Sequence, residues 1–354
     1  MAIRRRTRPL PPSALLATTL AVLSHTHTVI AVDFGDAFQL HAYGSQDYIQ
    51  ATHNTYLGAD NRGTWSNDFI GLTATATLND KSKLWAQLEA SGTGPTQFTW
   101  FFLDYELTGS LRARAGRVRF PLGIYNVLID TKFLQVTSLE PAIYQDATDI
   151  VHDSYTGVGL VFTQSLAGRG AITWEVYGGN IFDEHPPADS RDRRAYGGRV
   201  TYQTPFDGLS FLLSGYRTQV ELLATGELIN EDRYIVSVDY VHAAWDIKSE
   251  FGTRKFRGVD TDAYYVQVGR TLDKWMPFVR FDSVVTDTAL SSSDSYSQRI
   301  LVAGVNYSLR NNISLRIENH FNHGYALPVA SGEVPANGGI RSWNLLVAGL
   351  HFIL

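Results

Sequence analysis

Trp343-Asn-Leu-Leu-Val-Ala-Gly-Leu-His-Phe-Ile-Leu354 alternates with a period of two. Leu346, Ala348, Leu350, Phe352 and Leu354 share one face, and Val347, Gly349, His351 and Ile353 share the other. A helix groups every third or fourth residue, so this pattern reads as a β-strand. Terminal residues of soluble chains usually fray, because nothing holds them. An apolar strand running to Leu354 is expected to insert into a closed sheet that pairs its edge.

The opposite end carries an export signal. Arg4, Arg5, Arg6 and Arg8 form a basic region, Ser13 to Leu23 an apolar run, and Val29-Ile30-Ala31 a cleavage site. Residues 1–31 are therefore expected to be a signal peptide, and 32–354 a single transmembrane β-barrel domain. The apolar run is too short for a helix that spans a bilayer, which takes about 20 residues. Removing the leader takes away four arginines and no acid, leaving 26 basic against 35 acidic residues, a net charge of −9. That balance argues against a nucleic-acid partner. There is no cysteine, which removes disulfides, thiolate catalysis and Cys-bound zinc. With no helical span in the mature chain, only a closed barrel satisfies the backbone in lipid.

Strict alternation recurs along the chain. Ile70, Leu72, Ala74, Ala76 and Leu78 oppose Gly71, Thr73, Thr75 and Thr77. Trp245, Ile247 and Phe251 oppose Asp246, Lys248, Glu250 and Gly252, and Ile313, Leu315 and Ile317 oppose Ser314, Arg316 and Glu318. Charge collects on one face, as a water-filled interior requires. Sixteen strands result: 36–49, 66–79, 83–91, 97–107, 111–119, 156–164, 170–179, 194–203, 208–221, 232–241, 244–256, 261–272, 275–286, 297–309, 312–322 and 342–354. An even count puts both termini at one end, the periplasmic side of an outer-membrane barrel. Short turns such as Asn79-Asp80-Lys81 alternate with longer polar connections such as Thr286 to Ser297.

The longest interruption, Phe120 to Tyr155, follows the fifth strand and is the third long loop. It carries Asp130, Lys132, Glu140, Asp146, Asp149 and Asp153. Loops this long usually have a function, and this one is expected to fold into the lumen as a constriction. The fifth strand supplies the opposite charge. Arg112 and Arg114 share a face, while Arg117 and Arg119 have the wrong parity. A one-residue bulge at Gly116 would bring all four inward. The expectation is a basic wall of Arg112, Arg114, Arg117 and Arg119 facing an acidic loop across the narrowest point.

The run Gly116-Arg-Val-Arg-Phe-Pro-Leu-Gly-Ile-Tyr-Asn126, with Pro141-Ala-Ile-Tyr144 and Tyr155-Thr-Gly-Val-Gly-Leu160, resembles Gram-negative outer-membrane porins. The similarity is to the phosphate-selective and related substrate-specific families, and is strongest over residues 111–160. It implies a sixteen-stranded barrel in the outer membrane, a homotrimer that passes small hydrophilic solutes, anions among them. Lipid, lipopolysaccharide and the barrel assembly machinery, acting on the C-terminal strand, would then be its partners. Phosphate selectivity does not carry over, because the constriction offers only Lys132 where phosphate porins concentrate lysines.

No cofactor, metal or catalytic group is expected. His320 and His323 lie three apart at a strand end and would face opposite sides. His152-Asp153 are sequence neighbours, which do not orient each other as a triad requires. Trp85, Trp100 and Phe102 are expected to face inward, and Tyr202, Tyr240, Trp245, Trp275 and Tyr307 to form interface girdles. The competing reading is an outer-membrane barrel enzyme of phospholipase or protease type, which needs a nucleophile with an oriented histidine.

Overall fold

The computed structural model describes residues 32–33, 37–91, 96–129, 131–182, 190–333 and 339–354. The proposed signal peptide and Asp130 lie outside the described residues. Sixteen antiparallel strands form the barrel: β1 Phe38–Ala51, β2 Thr64–Asn79, β3 Ser82–Ser91, β4 Gln97–Thr108, β5 Leu111–Arg119, β6 Ser154–Ser165, β7 Ala171–Phe182 and β8 Ser190–Gln203. They continue as β9 Leu209–Leu222, β10 Leu228–His242, β11 Trp245–Phe256, β12 Val259–Arg270, β13 Trp275–Val285, β14 Ser297–Arg310, β15 Ile313–Gly324 and β16 Ser342–Ile353. Each expected strand is present, with ends shifted by a few residues. Val32–Asp33 adds a two-residue pairing to Leu40 and Gln39 of β1.

Closure is made by β16 against β1, from Leu345 opposite Ala51 to Ile353 opposite Tyr43. The Ala42 N–H and C=O both bond the main chain of Leu354. The seam therefore uses the second half of β1, because the shear of a closed barrel staggers the first strand against the last.

Side chains sort by parity. Ile317 is 57% exposed while its neighbour Arg316 is 1% exposed. A soluble protein would place these two the other way round; here the apolar face turns outward and the charged face inward, the arrangement a lipid solvent selects. Trp275 and Tyr307 pack at 4.4 Å between ring centroids near one end of β13 and β14. At the terminus-bearing end the connections are short, such as Ala243-Ala244 between β10 and β11. Longer connections, such as 52–63 and 286–296, lie at the other end, which also holds the two-residue Arg257-Gly258 turn joining β11 to β12. Both of its residues have positive φ, 54° and 79°, as a tight hairpin turn requires.

The register of β5 corrects one expectation. Gly116 sits opposite Phe102 and Gly157, and the pairing runs through it without a shift. There is no bulge, so Arg117 stays on the outer face, opposite Phe101 and Thr156. Its guanidinium lies 3.4 Å from the Phe182 ring centroid and 5.4 Å from that of Phe101. Arg119, at the strand end, bonds Asp153 at 2.8 Å. The inward arginines of β5 are therefore Arg112 and Arg114 alone.

Gly116 still has a structural task. Its φ is +135°, and a Cβ there would stand 2.5 Å from the Phe101 carbonyl oxygen and 2.8 Å from the Phe102 Cα. Backbone atoms cannot yield, so Gly116→Val is expected to cost about 1–3 kcal/mol. A drop in the heat-modifiable folded fraction on electrophoresis would register it. An unchanged fraction would mean that β4 and β5 part easily there.

Candidate functional site

The segment from Phe120 to Asp153 contains three short 3-10 turns, at Lys132–Leu134, Ala142–Tyr144 and Asp146–Thr148. Its apolar side chains are buried: Phe120, Leu122, Tyr125, Ile143 and Ile150 are each at most 1% exposed. They join one cluster with inward residues of the strands, among them Ile235, Tyr265, Phe278 and Val347. The inward face of β16, expected to meet water, instead packs in this cluster, with Val347 and His351 both at 0% exposure.

Charged side chains of the wall hold the segment by its main chain. Glu250 of β11 accepts from the Ile124 N–H at 2.8 Å, the Tyr144 hydroxyl at 2.6 Å, the Tyr265 hydroxyl at 2.8 Å and the Ser237 hydroxyl at 2.5 Å. Glu318 of β15 accepts from the N–H groups of Ser138 and Leu139. Asp282 of β13 accepts from the Ala142 N–H. Arg316 donates to the carbonyls of Lys132, Phe133 and Thr137, and Arg280 to those of Leu139 and Glu140. Hydrogen bonds to charged groups contribute about 1.5–3 kcal/mol each, so this set, added to burial of the segment's apolar side chains, fixes the loop in one place. Burial and then the Glu250 charge raise the Tyr144 phenol well above its usual value. It therefore stays a donor to Glu250 at ordinary pH.

These anchors all lie between β11 and β15, with Ser214 of β9 bonding the Gly123 N–H and His351 of β16 the Ser138 hydroxyl. The opposite sector, β2 to β5, presents a different surface: threonines on β2, Trp85 and Gln87 on β3, Trp100, Phe102 and Asp104 on β4, and Arg112 and Arg114 on β5. Arg112 Nε bonds Asp104 at 2.7 Å. Arg114 bonds Asp104 at 3.3 Å and Glu175 of β7 at 3.5 Å, and Glu175 also pairs with Arg199 of β8 at 2.9 Å. The rings expected to face inward do so together: Trp85 stacks on Phe102 at 6.5 Å and 12°, and Trp100 lies 5.8 Å from Phe102.

Arg112 and Arg114 pair with Asp104 and Glu175 rather than with the acids of the loop, and of the expected contacts between loop and β5 the one formed is Asp153 with Arg119 at the strand end. Asp149 pairs with Arg233 of β10 and Arg254 of β11 at 3.0 and 2.8 Å, and Asp153 with Arg119. Asp146 is exposed, Glu140 half-buried, and Lys132 has its ammonium 6.0 Å from the Phe69 ring centroid. Strand alternation already marked Glu250, Arg316 and Glu318 as inward. Their pairing to a loop far away in sequence leaves no local signal.

Burial pushes the Asp149 carboxyl up, but Arg233, then His152 and Arg254, outweigh it and hold it well below its usual 3.8. A depressed folded value means that this stabilisation is present above pH 3.8 and is lost as the pH falls below it. Asp149→Asn is expected to lower the thermal transition by a constant amount from pH 7 down to about 4, the difference closing only at lower pH. Thermal unfolding followed by circular dichroism at several pH values tests this.

His152 donates or accepts through Nδ1 with the Tyr216 hydroxyl at 2.8 Å, and its Nε2 lies 3.4 Å from Asp149; Asp153 is not its partner. His320 is buried against Glu318, and His323 is exposed, so the two point apart. A buried Ser138–His351–Asp47 group does resemble a triad. Both its contacts, each 3.0 Å, fall on the same Nε2 of His351. One nitrogen cannot take a proton from the serine while it bonds the carboxylate, so the relay of a hydrolase is not built.

No family model and no curated protein matches the chain. Solved structures do match in fold. Salmonella typhi OmpF in complex with daunomycin is 14% identical, with a TM-score of 0.65, over 92% of this chain and 100% of that one. An anion-selective porin from Comamonas acidovorans is 13% identical, with a TM-score of 0.64, over 90% and 99%. The trimer form of in-vitro folded OmpT, an outer-membrane protein of Vibrio cholerae, is 14% identical, with a TM-score of 0.57, over 90% and 100%. At such identities the likeness concerns the fold, and the fold is that of the porins.

Proposed function

We infer that the chain is an outer-membrane porin of a Gram-negative bacterium, a water-filled channel for passive diffusion of small hydrophilic solutes, anions among them. The observation that carries this reading is the division of the barrel interior. Side chains of β9 to β16 anchor the segment from Phe120 to Asp153, which supports a reading in which it narrows the lumen. The sector from β2 to β5 keeps a polar wall centred on Arg112 and Arg114. Among the described residues this arrangement supplies a field and a restriction, which is what a selective pore needs.

A homotrimer is the assembly that fits this role, supported by the trimer form of a protein with the same fold. Lipid and lipopolysaccharide would meet the apolar outer face, and the assembly machinery the β16 strand. Reconstitution in planar bilayers tests the channel reading directly: discrete conductance steps are expected in KCl. Their absence from correctly folded protein would overturn it and reopen the enzyme alternative.

A further inference from the structure

Along one wall of the lumen, flat rings give way to guanidinium groups. From the loop-rich end towards the end bearing the termini, the inward positions run Trp100, then Phe102 with Trp85, then Arg114, then Arg112. Asp104 gathers the two arginines, since Arg112 Nε binds its Oδ1 and Arg114 Nε its Oδ2. The Arg114 guanidinium carbon stands 5.7 Å from the centroid of Phe102, whose ring is stacked with Trp85. A ring edge and a charge-assisted donor thus lie within the length of one small molecule.

The donors on this wall are not exhausted. Arg112 uses only Nε, and among the described residues its two terminal nitrogens have no partner. Its side chain is 25% exposed, the most open of the inward arginines of β5. Two adjacent N–H groups on one guanidinium match the two oxygens of a carboxylate. The half-buried Trp85 ring beside them, with Phe102 itself buried, offers offset stacking to a second flat ring. Simple inorganic anions would use only the first of these features, and neutral sugars only the second.

We propose that this wall is a binding site for small aromatic carboxylates, with the ring stacked on Trp85 and the carboxylate held by Arg112 and Arg114. This rests on the channel reading for its role in transport, though not for binding itself. Arg112→Gln removes the free fork, and Trp85→Ala removes the outer stacking surface. Each interaction contributes enough for its loss to weaken binding about tenfold.

The test uses the full-length folded protein and benzoate, with acetate, inorganic phosphate and benzyl alcohol as comparison solutes. Binding is followed in detergent by quenching of tryptophan fluorescence, and current through single channels in bilayers by transient interruptions. Benzoate is expected to saturate at a concentration about tenfold below acetate or phosphate, and to interrupt the current. Both variants, once shown to be heat-modifiable, should shift that concentration upward. Equal binding of acetate or phosphate, or an Arg112→Gln variant that binds benzoate unchanged, would overturn the site. Benzoate binding without any conductance would keep the site and sink the porin reading instead.

Discussion

Glu250→Ala gives a channel that conducts more, with a noisier open state, and a barrel that melts at a lower temperature. The carboxylate is 1% exposed and receives four hydrogen bonds, two of them from opposite ends of the inward segment, at Ile124 and Tyr144. Removing it leaves the Tyr144, Tyr265 and Ser237 hydroxyls without their acceptor, while the Ile124 N–H keeps only the Tyr144 hydroxyl. Each orphaned donor costs about 1–3 kcal/mol unless water reaches it. Water reaches them only if the segment lifts from the wall, and that movement widens the passage. Glu250→Gln should fall between, since an amide oxygen accepts from two donors but carries no charge. Single-channel conductance and current noise in KCl measure the effect. A variant with the native conductance would show that Glu318, Asp282, Arg280 and Arg316 hold the segment without it.

Replacing Arg112 and Arg114 together by Gln shifts the reversal potential toward cation selectivity. The two guanidiniums face Asp104 and Glu175, so their loss leaves the carboxylates dominant on that wall. In a tenfold KCl gradient the limit for one ion species is about 59 mV, and the shift should be a sizeable fraction of it. The effect should grow at low salt, because screening falls off over about 10 Å at 0.1 M. Unchanged selectivity would mean that the two arginines serve only to fix Asp104 and Glu175.

The barrel was largely legible from residue order. Most strands of β1 to β16 appear as alternating runs, because the two faces meet solvents of opposite character. The same parity placed Trp85, Trp100, Arg112 and Arg114 inward. It failed at Gly116, where a bulge was invoked to bring Arg117 in. The strand instead runs on, and the outward arginine is accommodated by the Phe101 and Phe182 rings.

The length and acidity of the loop were legible, and Asp153 does meet Arg119, but Asp149 pairs away from β5. Asp149 lies against Arg233 and Arg254, more than eighty residues away along the chain. What the sequence alone determined was the periodic, local part: the facing and the inward chemistry of the alternating staves. Only the tertiary structure decided which strands anchor the loop and which carboxylates hold Arg112 and Arg114. Alternation is written residue by residue, whereas a loop's resting place depends on anchors such as Glu250, Asp282 and Glu318, which barrel closure brings to one side.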